Sequence, residues 1–173
     1  MKRIILHHTG GSYIPNNTDK KAYHFLIDNL GHIYTGRYKP EDNEDVSDGK
    51  YAAHTLRGNT GSIGVAACCN YCFSLVSKQS RFPITNIQFE TMCMVTARLC
   101  IKYKIPVSQV YTHYGFDLAH NIKQGKVDIT YLPWKTELTP IQVQDYFRNK
   151  INWYIKKCKE KGLKYWSAKD YLK

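Results

Sequence analysis

Residues 62–68 read SIGVAAC, a run of small and apolar residues that contains no charge. A strand with one face in water alternates polar and apolar residues, whereas a strand covered on both faces is apolar almost throughout. The run therefore predicts a central strand that is buried on both faces. Such strands are typical of α/β proteins, so this stretch favours the α/β class.

Shorter strands are predicted on both sides of this central run. Residues 3–8 (RIILHH) are apolar in the middle and are followed by a Gly-Gly pair, and residues 110–113 (VYTH) form another short β-rich run. Residues 23–38 (YHFLIDNLGHIYTGRY) contain two β-rich runs around a turn at residues 28–31, which is the pattern of a hairpin.

Helices are predicted where capping signals precede helical spacing of apolar residues. Two Thr-x-x-Gln capping boxes occur, and Pro140 stands in the first turn after the second of them. The predicted helices are a short one over residues 16–22, one from Thr85 to about Tyr103, one from Thr139 to Lys157 or beyond, and a final turn over residues 167–172. A long irregular loop is expected after the strand at 110–113. No repeat or low-complexity linker interrupts the sequence, which predicts one domain.

The composition is that of a basic globular protein. The chain has 173 residues, with 25 Lys and Arg against 14 Asp and Glu, for a net charge of +11. This balance favours polyanionic partners, which include nucleic acid, anionic membrane surfaces and bacterial envelope polymers. A nucleic-acid-binding domain would need a basic patch interleaved with exposed aromatic residues. The C-terminal region has that composition, but its aromatic residues equally suit packing of a helix, so we expect no nucleic-acid partner.

The six cysteines show no spacing typical of a secreted disulfide framework. We interpret them as free thiols of a protein that folds in a reducing compartment. Cys68, Cys69 and Cys72 leave a metal cluster open as an alternative, although cysteine in a buried strand behaves as a small apolar residue.

The N-terminus has an apolar run of only three residues before two histidines. Such a run is too short for the core of a signal peptide or for a membrane span. We therefore expect synthesis in the cytoplasm without a signal peptide, and no membrane span.

Histidines at the ends of predicted strands are the chemically informative feature. His7 and His8 end one strand, His113 ends another, and Asp128 lies near the end of the following loop. Two imidazoles, one carboxylate and a water molecule make a catalytic zinc site with an open position. Spacing alone leaves core or surface histidines open as the alternative, because no HExxH pair places two ligands on one helix turn.

Five blocks, in order, resemble the zinc-dependent N-acetylmuramoyl-L-alanine amidase family. They are ILHHTGG, AYHFLIDNLGHIYTGR, AAHTLRGNTGSIGV, YTHYGFD and GKVDI. That family includes phage amidase-type lysozymes, cytosolic anhydromuropeptide amidases and peptidoglycan recognition proteins. The resemblance implies a single zinc amidase domain over residues 1–173, with a central mixed β-sheet flanked by helices. The motif-matched core covers residues 3–130, and a C-terminal helical segment follows over residues 139–173.

The resemblance also implies the ligands of one Zn²⁺ per chain. His7, His113 and Asp128 match the ligand positions, with His8 as the alternative to His7. Asp117 is the alternative third ligand, because the loop before Asp128 is longer here than in the better-known members.

Further roles follow from the same resemblance. Lys126 matches the lysine that stabilises the oxyanion, and Tyr23 matches the tyrosine near the catalytic water. His54 and Asn59 match an element that lines the substrate groove. The cytosolic branch carries a glutamate base on the SIG strand, whereas this chain has no acid there, which implies that the base function falls to Tyr23, assisted by zinc, as in the phage-type branch.

The implied activity is hydrolysis of the amide bond between N-acetylmuramic acid and L-alanine in bacterial peptidoglycan. Peptidoglycan or muropeptides are the expected partners of a monomer, and the expected setting is a phage- or prophage-type lysin that acts on the bacterial cell wall. A non-catalytic peptidoglycan-binding module of the same fold, a cytosolic muropeptide-recycling amidase and an injected effector remain alternatives.

The C-terminal helix is predicted to be amphipathic. We hypothesise that its apolar side packs on the sheet while its lysines face anionic cell-envelope polymers. The apolar side comprises Ile141, Phe147, Ile151, Tyr154 and Ile155, and the lysines are Lys150, Lys156, Lys157 and Lys159. The alternative is a helix that completes the core and has a solvated basic face.

Overall fold

The fold is built on a five-stranded sheet in the order β3-β2-β4-β1-β5. A computed structural model of the protein describes residues 1–70 and 80–160. The strands are β1 (Arg3–His8), β2 (Phe25–Ile27), β3 (Ile33–Thr35), β4 (Ser62–Ala67) and β5 (Val110–Thr112). Residues 62–68, which predicted a strand buried on both faces, contain the central strand β4, and all six residues of β4 are buried.

The sheet is mixed, as predicted. β1 lies between β4 and β5 and pairs in parallel with both, and β2 also pairs in parallel with β4. β3 alone is antiparallel, because it returns from β2 through the predicted hairpin. The helices pack against this one sheet, which confirms a single α/β domain.

Four α-helices accompany the sheet in the described residues. They are α1 (Asn17–Ala22), α2 (Asn86–Tyr103), α3 (His113–Ala119) and α4 (Pro140–Glu160), and short 3-10 helices occupy Pro40–Asn43 and Val107–Gln109. Both predicted capping boxes are confirmed. Thr85 and Gln88 exchange hydrogen bonds of 3.0 and 3.2 Å before α2, and Thr139 and Gln142 exchange bonds of 2.9 and 3.4 Å before α4. The predicted turn over residues 167–172 lies outside the described residues.

The region after β5 differs from the prediction. The strand ends at Thr112, and His113 is the first residue of α3 rather than the last residue of a strand before an irregular loop. The Thr112 hydroxyl caps this helix by accepting the Gly115 N–H at 3.1 Å. The helix is short, and the long loop that we predicted begins only after it.

The two faces of β4 have different chemistry. Ile63, Val65 and Ala67 belong to the main apolar cluster together with residues of α2 and α4. Side chains alternate across a strand, so Gly64 and Ala66 lie on the other face. A Cβ atom at Gly64 would lie 2.8 Å from the His54 ring, so the missing side chain makes room for a buried histidine.

The C-terminal helix α4 contributes to the main core. Its buried apolar residues Val143, Phe147 and Ile151 are spaced by four, and the Phe147 ring centroid lies 4.7 Å from that of Phe89 on α2. Tyr154 and Ile155 are partly buried against the same cluster.

Two details of α4 differ from the prediction or refine it. Ile141 is 36 % exposed, which contradicts its predicted place on the buried side, because residues two apart on a helix point in different directions and Val143 faces the core. Three of the four lysines have carboxylate partners on the protein: Lys150 lies 3.0 Å from Glu90, and Lys156 and Lys157 lie 3.9 and 2.9 Å from Glu160. Their contact with envelope polymers stays a prediction.

Five cysteines are buried free thiols, which agrees with their interpretation as small core residues: Cys68, Cys69, Cys93, Cys100 and Cys158. Cys72, the third member of the alternative metal cluster, lies outside the described residues. Among the helices of the described ranges, none is long and apolar enough to cross a membrane.

Removing the Phe147 side chain should test whether α4 belongs to the core. Phe147→Ala should lower the free energy of unfolding by about 3–5 kcal/mol, because it leaves a cavity between α2 and α4. Trp153→Ala on the same helix is the matched control, since Trp153 is 47 % exposed and should cost less than half as much. Urea unfolding measures both values, and equal losses would contradict this packing.

Candidate metal centre

Parallel pairing brings two histidines to one edge of the sheet. His7 lies in β1 beside Ala66 of β4, and Leu6 lies beside Thr112 of β5. His113 follows Thr112 directly, so it reaches the same carboxyl edge as His7. The two rings have centroids 4.8 Å apart, and both side chains are buried. The carboxyl edge of parallel strands is where open α/β sheets place their ligands.

Asp128 completes a compact cluster with these histidines. The Asp128 carbonyl accepts the Tyr114 N–H at 2.9 Å, which ties the loop back to the start of α3. Its Oδ2 atom lies 2.9 Å from His7 Nδ1 and 3.3 Å from His113 Nδ1. One ligand atom from each of the three buried residues lies within 4.8 Å of the other two.

The electrostatics of the cluster suit metal binding. Burial lowers the pKa of His7 to about 4, and the nearby Asp128 carboxylate only partly offsets that effect. Burial also opposes ionisation of Asp128, but hydrogen bonds with His113 and His7 hold its pKa well below the usual range. Metal ligands must be neutral imidazoles and ionised carboxylates, so these groups are ready to coordinate at neutral pH.

The donor set fits a zinc ion. Two imidazole nitrogens and one carboxylate oxygen are a common set for catalytic zinc, which leaves a fourth position for water or substrate. All three donor atoms converge on one buried point at the edge of the sheet, as the shared contacts of Asp128 Oδ2 demonstrate.

The two alternative ligands lie outside this cluster. Asp117 approaches the other nitrogen of His113, with Oδ1 3.6 Å from Nε2, which is too long for a hydrogen bond, and it does not belong to the group formed with His7. Among the described residues, the group whose possible ligand atoms lie close together consists of His7, His113 and Asp128, and His8 does not belong to it. Its backbone carbonyl instead accepts the Tyr23 hydroxyl at 3.4 Å.

Tyr23 lies beside the candidate metal centre. It caps the end of α1, and its ring centroid is 5.1 Å from that of His7. Burial, and next the negative charge of Asp128, raise the pKa of the Tyr23 phenol. The phenol is therefore protonated at neutral pH and acts as a hydrogen-bond donor.

Lys126 lies near the centre in sequence, and its charge reaches residues beside it. Its side chain is exposed, two residues before Asp128. Burial is the main cause of the lowered pKa of His8, and the positive charge of Lys126 adds to it. That charge therefore acts within the site, although Lys126 makes no contact with the candidate ligands in the described structure.

His54 and Asn59 lie behind His7. His54 is buried, and its Nδ1 atom is 3.2 Å from His7 Nε2. Asn59 Oδ1 accepts the N–H groups of His54 and Thr55 at 3.0 and 2.8 Å, which fixes the loop. Burial is the main reason that the pKa of His54 is well below its usual value, so its ring is neutral. The predicted contact of His54 and Asn59 with substrate stays a prediction.

Two further residues have roles that the motifs did not indicate. Thr55 Oγ1 lies 2.9 Å from His54 Nδ1 and 3.4 Å from His7 Nε2, so it belongs to the same network. The sequence feature that could have indicated this role is the position of Thr55 directly after His54 in the AAHT block. His24 accepts the Gly64 N–H at 2.9 Å with Nδ1 and donates from Nε2 to Asn43 Oδ1 at 3.0 Å.

Comparison with known proteins identifies the family and agrees with the fold. A family model described as N-acetylmuramoyl-L-alanine amidase matches residues 1–130. The protein therefore belongs to the class of amide hydrolases that act on the bacterial cell wall. Within that class, the chain is a member of the N-acetylmuramoyl-L-alanine amidase family. A search of the curated proteins finds no match.

Solved structures of similar fold include two amidases and a phage endolysin. N-acetylmuramoyl-L-alanine amidase LysC from Clostridium intestinale URNW is 18% identical with a TM-score of 0.55, over 87% of this chain and 85% of that one. The Ph2119 endolysin from Thermus scotoductus MAT2119 bacteriophage Ph2119 is 17% identical with a TM-score of 0.51, over 86% and 82%. The amidase AmiD from E. coli is 20% identical with a TM-score of 0.50, over 65% and 48%. At these identities, the likeness establishes the shared fold.

Buried His24 should make the metal-free protein sensitive to acid. Burial lowers its pKa to about 4 in the folded state, while the unfolded chain has an ordinary value of about 6.5. The unfolded chain therefore binds more protons between these values, and the free energy of unfolding falls as pH falls through this window. This one group contributes up to about 3 kcal/mol of that loss.

Urea unfolding of the metal-free protein across this window measures the effect. His24→Gln should make the pH dependence shallower, whereas His120→Gln, which removes an exposed histidine, should leave it unchanged. Equal pH dependence in His24→Gln and the parent protein would contradict the assignment.

Proposed function

We propose that this chain is a zinc-dependent enzyme that hydrolyses the amide bond between N-acetylmuramic acid and L-alanine in peptidoglycan. The observation that carries the proposal is the buried group of His7 Nδ1, His113 Nδ1 and Asp128 Oδ2, in a chain of the amidase family. Zinc bound there would supply a Lewis acid that lowers the pKa of water and polarises the scissile carbonyl.

The side chains around this group have complementary roles in the proposed reaction. Asp128, with its lowered pKa, supplies the ionised carboxylate ligand, and burial keeps His7 in the neutral form that can coordinate. The Tyr23 hydroxyl orients the attacking water as a hydrogen-bond donor, since its raised pKa keeps the phenol protonated and leaves no phenolate to accept a proton at neutral pH. The Lys126 ammonium stabilises negative charge that develops on the carbonyl oxygen as the amide is attacked.

The proposed setting is a phage- or prophage-type lysin that acts on the cell wall, with residues 1–173 forming one zinc amidase domain. The net charge of +11 supports an anionic envelope as the site of action, because long-range attraction concentrates a basic protein there. A non-catalytic binding module is the second candidate, and one observation favours it: Ala66, beside His7, brings no carboxylate to the site.

Zinc content should depend on the proposed ligands. The purified protein should bind one zinc per chain, and His113→Ala or Asp128→Ala should lose it, because two protein ligands hold the ion weakly. His120→Ala is the control for loss of a histidine outside the centre. Metal analysis after dialysis against limiting zinc measures the content, and full occupancy in His113→Ala would overturn the ligand set.

The cleavage product distinguishes the candidate functions. Digestion of purified sacculi should release free amino groups of L-alanine and create no new reducing sugar ends, because the bond cut is an amide. The zinc-deficient His113→Ala protein gives the background. New reducing ends would identify a glycosidase, and binding of sacculi without either product would identify a non-catalytic module.

Tyr23 and Lys126 should affect turnover and not zinc content. Tyr23→Phe keeps the ring and removes the hydroxyl, so it should lower kcat while the zinc content stays at one per chain. Lys126→Ala should cost about 2.7–4 kcal/mol in transition-state stabilisation, as loss of an oxyanion donor does. Lys123→Ala, an exposed lysine of the same loop, is the matched control. Unchanged kcat/KM in Tyr23→Phe and Lys126→Ala would contradict both roles.

A further inference from the structure

The two ring nitrogens of His7 face different partners. Nδ1 lies 2.9 Å from Asp128 Oδ2, while Nε2 lies 3.2 Å from His54 Nδ1 and 3.4 Å from Thr55 Oγ1. The His7 side chain is fully buried, so neither nitrogen has access to bulk water. The proton on His7 must therefore be shared with these named partners.

In the metal-free protein, the partners of the two ring nitrogens determine which nitrogen of His7 carries the proton. A neutral imidazole carries one N–H and one bare nitrogen, and an ionised carboxylate only accepts hydrogen bonds. The His7 proton is therefore on Nδ1, where it is donated to Asp128. The bare Nε2 then accepts a hydrogen bond from His54 Nδ1–H or from the Thr55 hydroxyl.

Metal binding reverses this arrangement. A metal on His7 Nδ1 takes the lone pair of that nitrogen, so the proton must be on Nε2. The Nε2–H group then needs an acceptor, and His54 Nδ1 is the nearer of its two neighbours. His54 becomes an acceptor when its own proton is on Nε2. Histidine ligands of metals commonly donate their second N–H in this way, which fixes the orientation of the ring.

We propose that His54 is a positioning residue of the metal centre, which accepts the His7 Nε2–H hydrogen bond when the metal is bound and donates to the same nitrogen when it is absent. The inference rests on the proposed zinc function. It gives His54 a role through His7 rather than the contact with substrate that the motif implies.

The surroundings of His54 hold its ring in place for this exchange. Asn59 fixes the backbone at His54 and Thr55, and the absence of a side chain at Gly64 leaves space for the ring. His54 Nε2 has no hydrogen-bond partner among residues 1–70 and 80–160. In the zinc-bound arrangement this nitrogen carries the proton, so the hydrogen bond from His7 must offset the cost of an unpaired N–H group.

The tautomers are measurable in the parent protein. In ¹⁵N-labelled protein, histidine side-chain spectra distinguish a protonated nitrogen from a bare one. Zinc addition should move the proton of His7 from Nδ1 to Nε2 and that of His54 from Nδ1 to Nε2. A zinc-bound protein in which His54 keeps its proton on Nδ1 would overturn the proposal.

Zinc affinity provides the second measurement, by competition with a chelator. His54→Ala should weaken zinc binding about 10–100-fold, which is the usual effect of losing such a partner. His54→Asn should restore most of the affinity, because its amide oxygen takes a position close to that of Nδ1. Thr55→Val is the comparison: it removes the other neighbour of His7 Nε2 and a hydroxyl 2.9 Å from His54 Nδ1, but it leaves the His54 ring in place, so it should weaken zinc binding less than His54→Ala does.

The outcomes separate this inference from the proposed function. Failure of the parent protein to bind zinc would count against the proposed function itself. Parent-like zinc affinity in His54→Ala, with zinc bound by the parent, would overturn the role of His54 alone. Circular dichroism establishes that each variant is folded, and the spectra of the parent protein decide the matter if His54→Ala does not fold.

Discussion

The parallel pairing of β1 with β4 and β5 is the constraint on which the candidate metal centre depends. Ile4 and Leu6 point into the apolar core, and side chains alternate along a strand, so His7 must point to the other face. A slip of one residue in this register would exchange the faces of His7 and His8. The apolar residues that stabilise the sheet therefore also determine which histidine enters the cluster with His113.

The sequence predicts the fold better than it predicts the site. The strands and capping boxes follow from local patterns, which short-range geometry controls. Helix α3 was not predicted because Gly115 lowers helix propensity. Glycine is needed at this position because a Cβ atom there would collide with Gln144 Oε1, a residue of α4 that is distant in sequence. Spacing alone left the role of the histidines open, and the family resemblance supplied the ligand set. The contact between His54 and His7 joins residues 47 positions apart, beyond the reach of any local pattern.

The residues around the candidate centre offer few proton acceptors at neutral pH. Ala66 brings no carboxylate, the Tyr23 phenol is protonated, and Asp128 has a lowered pKa and is committed to the histidines. No group among these is a good proton acceptor at neutral pH. Activation of water in the proposed reaction must therefore come mainly from the metal, with the protein supplying orientation and charge. The network behind His7 then matters more, because it governs how well that histidine coordinates.

Helix α4 supports the centre although it lies beyond the residues that the family model matches. Gln144 Oε1 accepts the Thr112 N–H at 3.0 Å, directly before His113. Arg148 Nε donates to the Val110 carbonyl at 2.8 Å, at the start of the same strand. These two bonds satisfy edge groups of β5 that would otherwise be unpaired. They also anchor the junction from which His113 enters the cluster, so the C-terminal helix is part of the framework that positions this ligand.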